Sequence, residues 1–155
     1  MPAPEAHQAA AADKDFVYAI TSRAVAKYDR KTGQRVAVST GTARHLNSGF
    51  FWKGKLLCAH SNYPLKPERS EIKVLDVGSM KLTTFKDFGN AGGSLTWVLR
   101  KDGHWWCNFA LYGTDNPKTF LAKYDDQLPE LARWTYPKTF ITQLRRHNTP
   151  SAILL

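Results

Sequence analysis

Three times along the chain a strand-like run closes on an apolar residue followed by aspartate: Tyr28-Asp29, Leu75-Asp76 and Tyr124-Asp125. The aspartates stand 47 and 49 residues apart. A self-similar period of that length accommodates four short strands with their turns, and one such unit cannot bury its apolar faces alone. The chain must therefore fold by stacking copies of one unit.

The remainder of each unit is laid out around those anchors. Ser48-Gly49-Phe50-Phe51-Trp52 is matched to Ser94-Leu95-Thr96-Trp97-Val98, and each segment precedes a glycine-bearing turn, Lys53-Gly54-Lys55 or Lys101-Asp102-Gly103. Glycine there supplies the positive φ of a tight hairpin. Two apolar, β-prone runs follow, Leu56 to His60 and Trp105 to Phe109. Third strands are expected over Glu71 to Asp76 and Thr119 to Asp125, and fourth strands over Lys81 to Phe88 and Glu130 to Tyr136. The first unit offers Phe16 to Ile20, Ala24 to Asp29 and Gln34 to Ser39, with Lys31-Thr32-Gly33 as a turn, and no innermost strand. A helical face is visible only over Lys138 to Arg146, where Phe140, Ile141 and Leu144 share a side.

The expected fold class is all-β: a partial β-propeller of about three four-stranded antiparallel blades, the first lacking its innermost strand. The expected boundaries are a flexible lead-in over 1–14, blades over 15–41, 45–89 and 92–137, and a tail over 138–155 carrying a short helix. Closed rings use about four to eight blades, so three leave a choice. The chain is a piece of a larger ring, a homodimer completes the ring, or the sheets stack openly. The absence of a blade pattern over Thr149 to Leu155 favours the first.

Charge and cysteine content restrict function only loosely. The net charge of +9 favours acidic partners, but the cations are dispersed, at Arg23, Lys27, Lys53, Lys73, Lys101 and Lys123 among others, and only Arg145-Arg146-His147 clusters. A dispersed basic surface reads as a solvated one. No apolar run approaches the ~18 residues of a membrane-spanning helix, so no membrane partner is expected. The first twelve residues lack the basic and apolar regions of a secretory signal, which makes the compartment cytoplasmic if the chain is complete and exported if a signal precedes it. Cys58 and Cys107 fall at equivalent positions of adjacent units, ~10 Å apart as stacked sheets are, beyond disulfide reach, and are expected as buried free thiols. Trp52, Trp97, Trp105, Trp106 and Trp134 are expected mainly as packing between blades.

On this blade pattern, over Phe16 to Pro137, the chain resembles bacterial β-propeller repeat proteins and, loosely, the gluconolactonase-like enzymes. The resemblance implies that a site would lie where the loop entering the innermost strand and the loop between the second and third strands open on one face. Here those loops supply His45, Asn47, Ser48, Ser61, Asn62, Tyr63, Gly92, Gly93, Ser94, Asn108 and Tyr112, with His60 beside them. His45 and His60 are the catalytic candidates, because neutral histidine serves as a base near pH 7. His60 also breaks the internal repeat, since its counterpart is Phe109. Gluconolactonase-like propellers hold a divalent metal with a glutamate opening an innermost strand. Here those openings read Asn47-Ser48 and Gly93-Ser94, so no metal and no cofactor is implied. No Gly-x-Ser-x-Gly motif is present.

The expected function is a binding or interaction scaffold for a small molecule, glycan or protein. A fragment of a hydrolase or lactonase stands second, and a basic surface for nucleic acid or anionic glycan third.

Overall fold

The computed structural model describes residues 3–144 and Pro150. It contains twelve strands: β1 (Ala9–Ala12), β2 (Phe16–Ile20), β3 (Val25–Asp29), β4 (Arg35–Val38), β5 (His45–Trp52), β6 (Lys55–Ser61), β7 (Ser70–Asp76), β8 (Lys81–Gly89), β9 (Ser94–Lys101), β10 (His104–Ala110), β11 (Phe120–Tyr124) and β12 (Glu130–Thr135). They form three four-stranded antiparallel sheets, each a meander in sequence order. A 3-10 turn over Gly113–Lys118 and the short helix α1 (Lys138–Gln143) complete the described chain. The expected helix thus ends early, and Arg145, Arg146 and His147 lie outside the described residues.

The repeated aspartate has a local cause. Asp29 Oδ1 accepts the amides of Lys31 and Thr32 and the Thr32 hydroxyl, and Asp76 Oδ1 accepts those of Gly78 and Ser79 and the Ser79 hydroxyl. Asp125 retains only the Gln127 amide. Each aspartate closes the turn between third and fourth strands, with its side chain standing in for a backbone carbonyl. These hydrogen bonds, those to Thr32 and Ser79 foremost, hold the Asp29 and Asp76 carboxyls below their usual pKa. The β5–β6 and β9–β10 hairpins turn on Lys53-Gly54 and Asp102-Gly103, all four residues at positive φ, which is the geometry of two-residue primed turns.

Two sequence expectations are corrected. The first sheet does not lack a fourth strand before β2: Ala9–Ala12 pairs with β2 in the register Ala9↔Ile20 to Ala12↔Val17. The supposed flexible lead-in is therefore partly strand, and Ala3 packs on Ala19, Ala26 and Tyr28 while the Glu5 carboxylate bonds the Tyr28 hydroxyl and Arg35. Alanine is a poor strand former, and the strand's identity comes from what it covers. Gly49 of β5 faces this sheet so closely that a Cβ there would stand 2.5 Å from Ile20 Cδ1 on β2, while Ala11 Cβ on β1 would lie in ordinary contact at 3.5 Å. Only small side chains fit where these two sheets converge.

The second correction is register. Gly49 pairs with Cys58 and Val98 with Cys107, so β5 and β9 correspond with His45 at the place of Ser94. Matching Ser48 to Ser94 was therefore displaced by three residues. Asn47 and Ser48 sit in an irregularity of the β5–β6 ladder, which lengthens the strand without changing its ends.

The sheets pack face to face through two apolar seams. The first joins Tyr18, Ile20 and Val25 to Leu46, Leu56, Cys58, Leu75 and Leu82. The second joins Leu57, Ala59 and Ile72 to Leu95, Val98, Trp105, Cys107, Phe109, Phe120 and Tyr124. Cys58 and Cys107 are accordingly free, buried and in different seams. Burial pushes both thiols up.

Candidate functional site

The second seam ends, on the side of the long β6–β7 loop, in a row of three rings. His45 opens β5 opposite Ser61, and its imidazole lies 5.4 Å from the Tyr63 ring. Tyr63 in turn lies 5.0 Å from Tyr112, which follows β10 in the third sheet. Beside the tyrosines opens a cleft of about 300 Å³ lined by Tyr63, Pro64, Lys66, Glu68, Leu111, Tyr112 and Asp115. Lys66 pairs with Glu68 and Lys118 with Asp115, so the rim carries both signs of charge. Burial, with Tyr63 and Glu68 nearby, raises the Tyr112 hydroxyl to about 12, and burial lowers the His45 pKa. Both rings are therefore neutral at pH 7: a hydroxyl that donates and an imidazole that accepts.

The walls of this cleft are fixed from below by polar ties. The buried Ser70 hydroxyl donates to the Gly93 carbonyl and accepts the Leu95 amide, each at 2.9 Å, and so joins β7 to the entry of β9. Asn47 Nδ2 donates to the Leu95 carbonyl across the same seam. Asn62 clamps its own loop, donating to the Pro67 carbonyl and accepting the Arg69 amide. In the third sheet, Asn116 donates to the Leu111 carbonyl and so holds the chain on Tyr112's side of the cleft.

The structure disperses the other expected site residues. His60 pairs in register with Leu46 on β5 and Glu71 on β7, and successive residues of a strand face opposite ways, so His45 and His60 leave opposite faces of the second sheet. His60 Nε2 accepts the Arg44 amide at 3.0 Å, which places its proton on Nδ1. Nδ1 stands 2.9 Å from Glu71 Oε2, close but poorly aligned for a full hydrogen bond. Lys73 Nζ lies 3.0 Å from the same oxygen and donates to Thr84 Oγ1, which donates to Glu71 Oε1. Burial pushes the His60 pKa well down, outweighing the upward pull of Glu71, and Lys73 adds to the fall. Burial alone would raise Glu71, but the Lys73 hydrogen bond and charge hold it below its usual value. His60 thus has no lone pair to offer a substrate; it closes a buried polar network.

Asn108 is buried toward the opposite face of the third sheet, donating to Thr96 Oγ1 and accepting the Tyr136 hydroxyl. Gly92 has positive φ and donates to Asn90 Oδ1. A Cβ on Gly93 would stand 3.2 Å from the Ala110 carbonyl oxygen and from Phe109 Cβ, so its bareness serves packing. Ser48 lines a separate hollow of about 590 Å³ between β1, β5 and β9. The hydroxyls of Ser48, Ser61 and Ser94 are buried without a partner among the described residues.

Sequence reasoning missed Pro64, Lys66 and Leu111 as cleft walls. The signal was the length of the Asn62 to Arg69 connection, set against the Thr21 to Ala24 connection of the first sheet. It also missed Ser70, because a lone serine opening a strand has no pattern of its own.

No protein-family model matches the chain, and no curated protein matches it. Among solved structures it is similar to the computationally designed Ika8 protein, at 13% identity and a TM-score of 0.54 over 82% of this chain and 36% of that one. It is also similar to the computationally designed Ika4 protein, at 12% identity and a TM-score of 0.52 over 84% of this chain and 91% of that one. The chain spans little more than a third of the first structure's length. At such identities the likeness concerns the fold alone.

Proposed function

We propose that the three sheets are blades of a partial β-propeller, and that the protein is a binding scaffold whose ligand sits in the Tyr63–Tyr112 cleft. The observation that carries this reading is the ring row His45–Tyr63–Tyr112, which crosses from one sheet to the next and borders a hollow large enough for a small molecule. Two tilted tyrosines supply apolar faces, while the Lys66–Glu68 and Asp115–Lys118 pairs supply donors and acceptors of both kinds. That mixture suits a neutral saccharide, which offers apolar C–H faces and a ring of hydroxyls. It suits a polyanion poorly, because Glu68 and Asp115 stand on the rim.

The test is calorimetric titration with a set of neutral mono- and oligosaccharides, followed by Tyr63→Ala and Tyr112→Ala. Each substitution is expected to weaken binding about tenfold or more, the cost of losing one stacking face. Trp134→Ala, on another surface, is expected to leave binding unchanged. Absence of binding across the set, or binding indifferent to both tyrosines, would contradict the proposal.

A further inference from the structure

The first and third sheets share the tetrapeptide Ala-Lys-Tyr-Asp, at 26–29 and 122–125, directly before the third-to-fourth-strand turn. In the first sheet its lysine holds a seam together. Lys27 pairs in register with Tyr18, lies 4.0 Å over the Phe16 ring, and donates across the seam to the Val77 carbonyl of the second sheet at 2.9 Å. Val77 directly follows the repeated aspartate Asp76.

Lys123 is the same device on the third sheet. It pairs in register with Trp106, lies 5.4 Å over that ring, and faces away from the second sheet. No described residue offers it a carbonyl. Around it, Trp106 stacks on Trp134 at 5.9 Å and 21°, Trp134 is 47% exposed, and Leu99 and Leu121 are half-buried. The positions of Trp106 and Leu121 correspond to Leu57 and Ile72 of the second sheet, which the third sheet buries almost completely. Toward its other end this face is already covered, Trp97 Nε1 donating to the Pro150 carbonyl and the Tyr136 hydroxyl to Asn108, but around Lys123 the outer face of the third sheet is built like a face that receives another sheet.

The opposite end of the stack is its complement in size. The outer face of the first sheet presents Val17, Ala19, Ala26, Tyr28 and the exposed Val38. In the single chain, Ala3 and Glu5 lie over its middle.

We infer that a second copy of this chain docks its first sheet on the outer face of the third sheet. The tryptophans then meet alanine and valine, and Lys123 reaches for the backbone carbonyl of the partner's Arg30, the residue after the first repeated aspartate. The contact is head-to-tail, continuing the two seams already present, and it competes with the Ala3–Glu5 strap on the first sheet and with the Tyr136 and Pro150 cover of Asn108 and Trp97 on the third. It involves a different surface from the cleft and stands whether or not the cleft binds a saccharide.

Sedimentation velocity of the full chain from low to high micromolar concentration tests this. Wild type is expected to associate reversibly. Trp134→Glu, Val38→Glu and Lys123→Ala should each weaken association about tenfold or more, with near-ultraviolet circular dichroism showing the fold retained. Glu5→Ala, which loosens the strap, should strengthen it. Mixing Trp134→Glu with Val38→Glu should restore a dimer, because each variant keeps the surface the other has lost. A chain that stays monomeric both as wild type and as Glu5→Ala overturns the inference. So does association that these substitutions leave unchanged, or that the mixture fails to restore.

Discussion

Ser61 and Ser70 sit opposite one another on β6 and β7, both almost completely buried, and are expected to respond in opposite ways to loss of a hydroxyl. Ser70→Ala removes one group that serves two backbone partners, the Gly93 carbonyl and the Leu95 amide, both at the junction of the second and third sheets. The loss combines two hydrogen bonds, about 1 kcal/mol each net, with the desolvation of two orphaned backbone groups, so about 2–4 kcal/mol of stability should go. Ser61→Ala removes a hydroxyl that has no partner among the described residues, and the expected change is near zero or slightly stabilising. Urea unfolding followed by tryptophan fluorescence reads both, as a midpoint shift at constant m-value. Equal costs for the two substitutions, or a Ser70→Ala cost under about 0.5 kcal/mol, would refute the idea that Ser70 ties the sheets together.

The remaining expectations concern pH, thiols and packing. His60 is buried neutral with a lowered pKa, so between ~6.5 and its folded value the unfolded state binds more protons and stability falls as pH falls. Glu71, also lowered, adds its own loss only below its unfolded value near 4.5. His60→Phe, which copies Phe109, should therefore flatten the decline in urea midpoint between ~6.5 and the carboxylate range; an unchanged slope would place the titration elsewhere. Cys58 and Cys107 should resist a thiol reagent in the native protein and react together on unfolding, whereas one fast native thiol would contradict their burial in the two seams. Gly49→Ala should cost about 1–3 kcal/mol through overpacking against Ile20 and Leu56, measured by thermal unfolding, and a neutral result would mean that the Ile20 side chain on β2 yields without loss of packing.

The aspartate period was legible because it has a local physical cause, a carboxylate capping the same turn in each unit, and local causes leave marks in sequence. The primed turns at Lys53-Gly54 and Asp102-Gly103 were legible for the same reason. β1 was not, because four alanines have neither strand propensity nor alternation, and its connection to β2 turns without a positive-φ glycine. Its place is set by the ladder with β2 and by contact with the distant Gly49, and no local pattern reports that. At the candidate site, comparing repeats singled out His60 correctly as a break in pattern but not for its cause. The polarity there meets Glu71, Lys73 and the Arg44 amide. Tyr63 and Tyr112 were placed on one face by their loops, and their approach across the seam depends on how two sheets stack, which only the assembled fold sets.

Three complete four-stranded sheets require Ala9–Ala12 as the edge strand of the first. Native-state hydrogen exchange resolved to single amides tests it directly. Alternate amides within Ala9–Ala12 should be protected as those of β2 are, because every second one bonds into the ladder. Exchange of all four at the rate of an unstructured peptide would contradict this, leaving the first sheet with three strands.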